Sequence, residues 1–295
     1  MRVFVTGATG FIGTPVVKEL ITAGHKVLGM ARSDEGAKSL AAIGADVHRS
    51  SLEDLESLRR GAAAADVVIH LAFIHDFSKF VENSEIDRQA IEAIGSELAD
   101  SDRLFIATSG LAGLAAPGQL ATEDSVIPPN FSFPRVSEQT ALALIPKGVR
   151  VSVMRLPQVH NTVKQGIVSP AIAIAREKGV SAYVGEGQNR LAAAHVLDVA
   201  RLYRLVLEKN ENGAKYHAVA EEGVSMRDIA EVIGRGLKLP VKSIPPEEAE
   251  AHFGWFAMFA GHDLAGSSAI TRKKLGWNPT GPGLIADLEQ MDYRG

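Results

Sequence analysis

Gly7, Gly10 and Gly13 recur at three-residue intervals directly after the apolar run Val3-Phe4-Val5, within Thr6-Gly7-Ala8-Thr9-Gly10-Phe11-Ile12-Gly13. A strand, a glycine-rich turn and a helix start, in that order, can hold a diphosphate. Glycine lets the backbone pass close to the ligand, and the leading N–H groups of the helix, with its dipole, stabilise negative charge. The alternative is an ordinary glycine-rich strand-to-helix turn. The second candidate strand, Lys26–Ala31, ends in Arg32-Ser33-Asp34. A cation at that point pairs with a ribose 2′-phosphate and an acid with the 2′-hydroxyl. Arg32 and Ser33 therefore favour NADP(H), and Asp34 leaves NAD(H) open.

Other residues could move protons or bind substrate. His75 and Asp76 follow the fourth candidate strand, and an imidazole beside a carboxylate can act as general acid or base; a surface or helix-capping histidine is the alternative. Ser109 ends the fifth candidate strand. Tyr183, Asn189 and Arg190 could contact an anionic or hydroxylated substrate, or pack and be solvated in a small lobe. His160 and Asn161 could reach a pocket. His195 and Asp198, at helical spacing, are expected to be structural. No histidine spacing suggests a metal site.

The elements that must position these residues alternate. Candidate strands are Arg2–Thr6, Lys26–Ala31, Asp46–His48, Val67–Leu71, Leu104–Ala107 and Arg150–Arg155, separated by the helical patterns Pro15–Ala23, Leu52–Ala63, Asp87–Asp100 and Val136–Leu144. Alternation of this kind predicts an α/β fold: a doubly wound parallel (Rossmann) sheet with a smaller C-terminal substrate lobe. Beyond residue 160 the pattern predicts helices over Pro170–Glu177, His195–Leu207 and Val224–Leu237. In the second of these Leu197 faces the packed side; Ser225 caps the third. Extended pieces are expected at Val180–Val184, Lys215–Val219 and Pro240–Pro246. The irregular stretch Gly113–Pro134 reads as a functional or mobile loop. The aromatic cluster Phe253 to Phe259 reads as a pocket roof, a lid, core packing or a dimer contact.

Composition narrows the class. The chain has 295 residues, 46% apolar, with net charge −4 and no cysteine. No basic block points to nucleic acid, no run suffices for a membrane span, and disulfides are excluded. The N-terminus enters a strand without a leader, so a cytoplasmic protein is expected.

In its motifs the chain resembles the extended short-chain dehydrogenase/reductases, the epimerase/dehydratase-like superfamily. The glycine turn resembles that family's TGxxGxxG. Ser51-Leu52-Glu53-Asp54 is similar to a segment near adenine. Val68-Ile69-His70-Leu71-Ala72 is similar to the fourth-strand motif, and Arg155-Leu156-Pro157-Gln158-Val159 to the segment flanking the nicotinamide. Ala194 to Ala200 and Leu275-Gly276-Trp277-Asn278-Pro279 match two further motifs. The resemblance implies a cofactor site made of Gly7, Thr9, Gly10, Phe11, Ile12, Gly13, Arg32, Ser33, Leu52, Leu71, Ala72, Phe73, Thr108, Pro157 and Val159. It implies a nucleotide-binding domain of residues 1–160 and 192–222, interleaved with a substrate lobe of 161–191 and 223–295. It also implies a homodimer paired through Asp87–Asp100 and Val136–Leu144.

The family's proton chemistry uses Tyr-x-x-x-Lys and a hydroxyl. No tyrosine precedes Tyr183, and none in the chain is followed four residues later by lysine. Aligning Ser137 with the family serine puts Pro134 and Glu138 at those two positions; a shift of one gives Arg135 and Gln139. The expected function is hydride exchange between NAD(P) and a small carbonyl or alcohol, with Ser109 or His75 assisting. The alternatives are a non-catalytic NADP(H) redox sensor that acts on a partner, and a sugar epimerase or dehydratase.

Overall fold

The computed structural model describes residues 1–128 and 133–294. The chain runs β1 (Arg2–Thr6), α1 (Gly13–Thr22), β2 (Lys26–Ala31), α2 (Asp34–Ala42), β3 (Asp46–Arg49), α3 (Leu55–Ala63), β4 (Val67–His70), α4 (Phe80–Leu98), β5 (Leu104–Gly110), α5 (Ser137–Leu142) and β6 (Arg150–Leu156). It continues through β7 (Gln158–His160), α6 (Val168–Lys178), β8 (Ser181–Val184), β9 (Arg190–His195), α7 (Val196–Lys209), β10 (Lys215–His217), β11 (Glu221–Ser225), α8 (Met226–Leu237) and β12 (Val241–Ile244). The helices α9 (Ala249–Phe253), α10 (Ala257–Ala260), α11 (Ala269–Leu275) and α12 (Leu284–Gln290) complete it.

Two compact units form. The first comprises Met1–Gly110, Asn130–Arg155 and Val199–Tyr216; the second comprises Leu111–Pro129, Leu156–Asp198 and His217–Gly295. The first is built on a seven-stranded sheet of order β10-β6-β5-β4-β1-β2-β3. β1 lies parallel to β2 and β4, β2 to β3, and β4 to β5. The order reverses between β1 and β4, so the glycine turn and the end of β4 lie side by side where doubly wound sheets bind ligands.

Strand alternation explains why the sheet is covered on both faces. Phe4, Leu28, Met30, Val68, Phe105, Val151 and Val153 pack with Leu58 of α3, Ile91 and Ile94 of α4 and Ala141 of α5. The intervening Val3, Val5, Val27, Ile69 and Ile106 are buried as well. Val16 and Leu20 of α1 and Leu202 and Val206 of α7 are buried too. An Arg204–Glu19 ion pair (2.7 Å) ties α7 to α1. Gly61 of α3 lies so close over Phe4 that a β-carbon would meet the ring at 2.4 Å.

The second unit has its own sheet, β11-β9-β7, and a pair β12-β8. Its core joins Ile172 of α6, Leu191 and Ala193 of β9, Ile229 and Ile233 of α8, and Leu284 and Leu288 of α12. With β7, β9 and β11 in this sheet, residues 111–128, 156–160, 192–198 and 217–222 fall within the second unit, whereas the resemblance implies a nucleotide-binding domain of 1–160 and 192–222.

Other expectations shift for local reasons. α3 starts at Leu55, not Leu52, because the Asp54 carboxylate accepts the Ser57 N–H (3.0 Å) and caps it. α4 begins seven residues before Asp87, and Asp87 is buried mid-helix. Leu197 is 61% exposed, on the outer side of α7. The part of the Gly113–Pro134 stretch that is described is tied down. Ala121 exchanges backbone bonds with Ala265 and Ser267, and buried Glu123 accepts the Thr271 N–H and hydroxyl, both at 2.6 Å. Residues 129–132 lie outside the described residues. Ser225 caps α8 as expected, accepting the Asp228 N–H at 3.0 Å.

Candidate functional site

The turn after β1 is shaped by three glycines with different duties. Gly7 adopts φ +65°, which L side chains rarely tolerate, and a β-carbon on it would lie 2.8 Å from the Ala72 nitrogen. Gly13 opens α1, and a β-carbon there would lie 2.0 Å from the Gly7 carbonyl oxygen. Both are required by the protein's own packing. Gly10 is different: its β-carbon would meet only the Gly7 oxygen, at 3.1 Å. Its bareness matters mainly to whatever crosses it. No side chain caps α1, so its dipole and first N–H groups suit an anion. Thr9 and Gly10 are exposed, and Phe11 and Ile12 half-buried. These residues fit a dinucleotide diphosphate, the group the fold implies.

At the far end of β2, Arg32 and Ser33 are exposed. Ser33 caps α2 by accepting the Gly36 N–H (3.1 Å), which leaves its hydroxyl hydrogen to donate. Strand register sets Arg49, the last residue of β3, opposite Ala31. Arg49 pairs with Asp34 at 3.1 Å. Sequence reading missed Arg49; its signal was a cation ending the strand next to the one that Arg32 follows.

The segment after β4 carries Leu71, Ala72 and Phe73, all half-buried. The Leu71 and Ala72 N–H groups both donate to the Thr6 hydroxyl oxygen at 3.2 Å. That oxygen has two acceptor sites, so its own hydrogen goes to His70 Nδ1 (2.9 Å). His70 then carries its proton on Nε2 and donates to Asp87 Oδ1 (3.1 Å). The Ser137 hydroxyl donates to Asp87 Oδ2 (2.5 Å) and accepts from Arg135 Nε (2.9 Å). Arg135 Nη2 donates to the Thr108 carbonyl (3.2 Å), and its guanidinium stacks 4.2 Å from the centre of the Phe73 ring. Burial alone would raise the Asp87 carboxyl; the His70 hydrogen bond, the Arg135 charge and the Ser137 hydroxyl outweigh it and hold Asp87 below its ordinary value. A buried polar chain thus runs from β1 through β4 and α4 to the residues that lead into α5.

Glu138 is held by Arg155, Nε to Oε2 at 2.8 Å and Nη2 to Oε1 at 2.5 Å, with both side chains buried. The Thr108 hydroxyl bonds Tyr203 at 2.7 Å inside the core, and burial pushes the Tyr203 phenol up. Thr108 is therefore occupied by packing. Ser109, the next residue, is half-buried, and no protein partner for its hydroxyl is found among the described residues. His75 is exposed and stands edge-on to Phe73 and Phe77 at 5.3 and 6.1 Å. The Asp76 carboxylate turns instead to the Ser78 N–H (3.0 Å) and hydroxyl (2.6 Å), capping a one-turn helix. The Asp76 carboxylate, expected beside His75 as an acid/base partner, serves this cap. Leu52 is buried beneath α3.

In the second unit, Val159 is buried in β7 and Pro157 is half-buried just before it. Tyr183 packs beside the α8 core with the Arg227 guanidinium 5.5 Å from its ring centre. Arg190 grips Asp263 with two bonds (3.1 and 2.8 Å), and the Asn189 amide donates to the Ala260 and His262 carbonyls. These polar groups, expected to meet substrate, hold the 260–264 turn. Asp198 accepts the Thr280 and Gly281 N–H groups (3.1 and 2.8 Å), and its carbonyl takes the Trp277 indole N–H (3.1 Å), as a structural residue should. His160 is fully buried, bonded to Asp287 (2.6 Å). Its Nε2 lies 4.0 Å from Glu221, and its ring lies 5.9 Å from that of His195. Burial, against the Asp287 bond, lowers His160 below the usual imidazole value. Among the described residues no group of three or more acids and histidines is placed to hold a metal. No helix there is long and apolar enough to cross a membrane.

Comparison with known proteins agrees with this geometry. An uncharacterized protein of Schizosaccharomyces pombe is 45% identical over 99% of this chain and 100% of its own. A sterol-4-alpha-carboxylate 3-dehydrogenase (decarboxylating) of Dictyostelium discoideum is 29% identical, covering 77% of this chain and 73% of its own. The structure of Thermus thermophilus UDP-glucose 4-epimerase in complex with NAD superposes with a TM-score of 0.77 at 18% identity, covering 100% of this chain and 99% of that one; it shares the fold. The family model for the NAD dependent epimerase/dehydratase family matches residues 3–220. The glycine turn, the sheet that reverses beside it and the match over most of the chain's length have one reading: this chain belongs to the NAD dependent epimerase/dehydratase family, within the extended short-chain dehydrogenases/reductases.

Proposed function

We propose that the protein is an oxidoreductase that binds NADP(H) in preference to NAD(H) and exchanges hydride with a small carbonyl or alcohol. The observation that carries the cofactor preference is the pair of strand ends at β2 and β3. Arg32, Arg49 and the Ser33 hydroxyl all stand there; of the two acids that open α2, Asp34 and Glu35, Asp34 is engaged by Arg49. That ion pair is exposed and so worth about 0–1 kcal/mol; a phosphate dianion can displace it and gain two charge-assisted contacts. When bound, the nicotinamide would supply or accept the hydride. The chain's own part is to hold the diphosphate at α1, read the ribose phosphate at Arg32 and Arg49, and present the Ser109 hydroxyl to the reacting oxygen. The dehydrogenase among the relatives supports redox chemistry over epimerisation.

Calorimetric titration with NADP+, NADPH, NAD+ and NADH tests this reading. The phosphorylated pair should bind at least about tenfold more tightly, roughly 1.4 kcal/mol. Arg32→Glu combined with Arg49→Glu should erase the difference. Absence of binding by all four would refute the assignment, and equal binding would refute the preference. Failure to oxidise NADPH with any of a broad carbonyl panel would favour a second reading, a redox sensor. That reading draws on the Glu138–Arg155 pair, which puts a neutralised acid in the region where relatives need a lysine. It requires unequal affinity for oxidised and reduced cofactor, since equal binding shifts no equilibrium.

A further inference from the structure

Arg135 is a strongly held cation of the first unit whose donors the described residues do not all use up. A guanidinium has two hydrogen-bonding edges: a side edge of Nε and Nη2, and an end edge of Nη1 and Nη2. Here Nε is committed to Ser137 and Nη2 to the Thr108 carbonyl, so the protein occupies the side edge. No partner for Nη1 is found among the described residues, and the residue is half-buried. The Phe73 ring lies against the guanidinium, its centre 4.2 Å from the Cζ atom. The buried chain Thr6–His70–Asp87–Ser137 fixes the Nε end. Such a fork is pre-organised for a ligand with two oxygens, because its rotamer entropy is already spent.

Its setting defines the ligand. Arg135 holds the carbonyl of the residue before Ser109, and Phe73 follows the end of β4 beside the glycine turn. Among the described residues the groups that bond or stack on it are Phe73, Thr108 and Ser137, and the titratable groups acting on it are Asp87 and Tyr203; none of these adds a second positive charge. A single fork with one charge, partly balanced by a carboxylate behind it, suits a monoanion better than a phosphate dianion. Arginine keeps its proton at any working pH, so its part is to anchor charge rather than to transfer a proton.

We propose that the end edge of Arg135 binds a carboxylate of the substrate, so that the substrates are oxo acids or hydroxy acids. This rests on the cofactor reading above.

The test uses the NADP+-saturated protein and matched probes: 2-oxo acids of two to six carbons and their primary amides, which are close in size and shape but lack the charge and the second acceptor oxygen. Affinity is read by calorimetry and thermal shift. At least one acid should bind about tenfold or more tightly than its amide. Arg135→Met should abolish that difference, and Arg135→Lys should keep part of it, a point charge without the fork. NADP+ affinity should stay within about twofold in both variants. Because Arg135→Met leaves Asp87 without its charge partner, side-chain NMR of arginine in the unaltered protein is a second readout. The Arg135 Nη signals should shift with the acid and not with the amide. Equal binding of acid and amide, a preference that survives Arg135→Met, or unmoved Nη signals would each overturn the proposal. If the unaltered protein binds no dinucleotide, the cofactor reading fails first and is identified as the cause.

Discussion

Alanine substitutions at Gly10 and Gly13 separate what the turn does for the fold from what it does for a ligand. At Gly13 the new methyl would stand 2.0 Å from the Gly7 oxygen, 2.8 Å from its carbonyl carbon and 2.9 Å from the Ala8 Cα. All three are backbone atoms, and Gly7 cannot yield because it is pinned at φ +65° against Ala72. The start of α1 must move by roughly an ångström, at the upper end of overpacking costs, about 3 kcal/mol. For a domain of this size that lowers Tm by roughly 6 °C. At Gly10 the methyl meets only the Gly7 oxygen at 3.1 Å. A shift of a few tenths of an ångström relieves it, at about 0.5 kcal/mol or less, partly offset by a less flexible unfolded chain. Gly10→Ala should therefore melt within about 2 °C of the unaltered protein, yet bind NADP(H) at least about tenfold more weakly, since the methyl fills the space the diphosphate needs. Scanning calorimetry gives the first quantity and titration the second. If Gly10→Ala binds cofactor normally, the diphosphate does not cross Gly10; if Gly13→Ala melts normally, the packing argument fails.

Three further outcomes follow from the buried polar groups. Glu138→Gln leaves the Arg155 guanidinium buried without its carboxylate and should cost about 3–5 kcal/mol in urea unfolding, whereas Glu138→Leu with Arg155→Met should cost much less. Tyr203→Phe deprives the buried Thr108 hydroxyl of its partner and should cost about 1–2 kcal/mol without changing cofactor affinity; a large loss of affinity would show that Thr108 reaches the ligand. His160 faces Asp287, Glu221 and His195, and burial lowers its folded value. Below about pH 6.5 the unfolded chain takes up a proton that the folded chain refuses. Stability should thus fall as pH drops through that region, and His160→Gln should flatten the slope; an unchanged Tm–pH curve in the variant would contradict this.

Local signals made the first half of the chain legible. The glycine turn depends on residues within one short segment, and the strands of the central sheet announce themselves as apolar runs. The second unit was harder. β9 is Arg-Leu-Ala-Ala-Ala-His and β11 is Glu-Glu-Gly-Val-Ser. Neither carries the branched or aromatic residues that mark strands, and both are held in place by pairing with each other. Leu197 fits a helical apolar stripe yet stays exposed, because the pattern reports a face and not the partner that covers it. Asn189 and Arg190 have side chains suited to a ligand, but the turn at Asp263 claims them.

The sequence by itself determined the strand and helix alternation of the first unit, the family and the glycine turn proposed to hold a diphosphate, because each is written in contiguous residues. Only the tertiary structure decided the polar chain from Thr6 through His70, Asp87 and Ser137 to Arg135, the company of Arg49 beside Arg32, and the neutralisation of Glu138 by Arg155. Those groups come from segments far apart in sequence. They meet because parallel pairing, β1 with β4 and β2 with β3, brings the ends of strands distant in sequence side by side, a fact no local pattern contains.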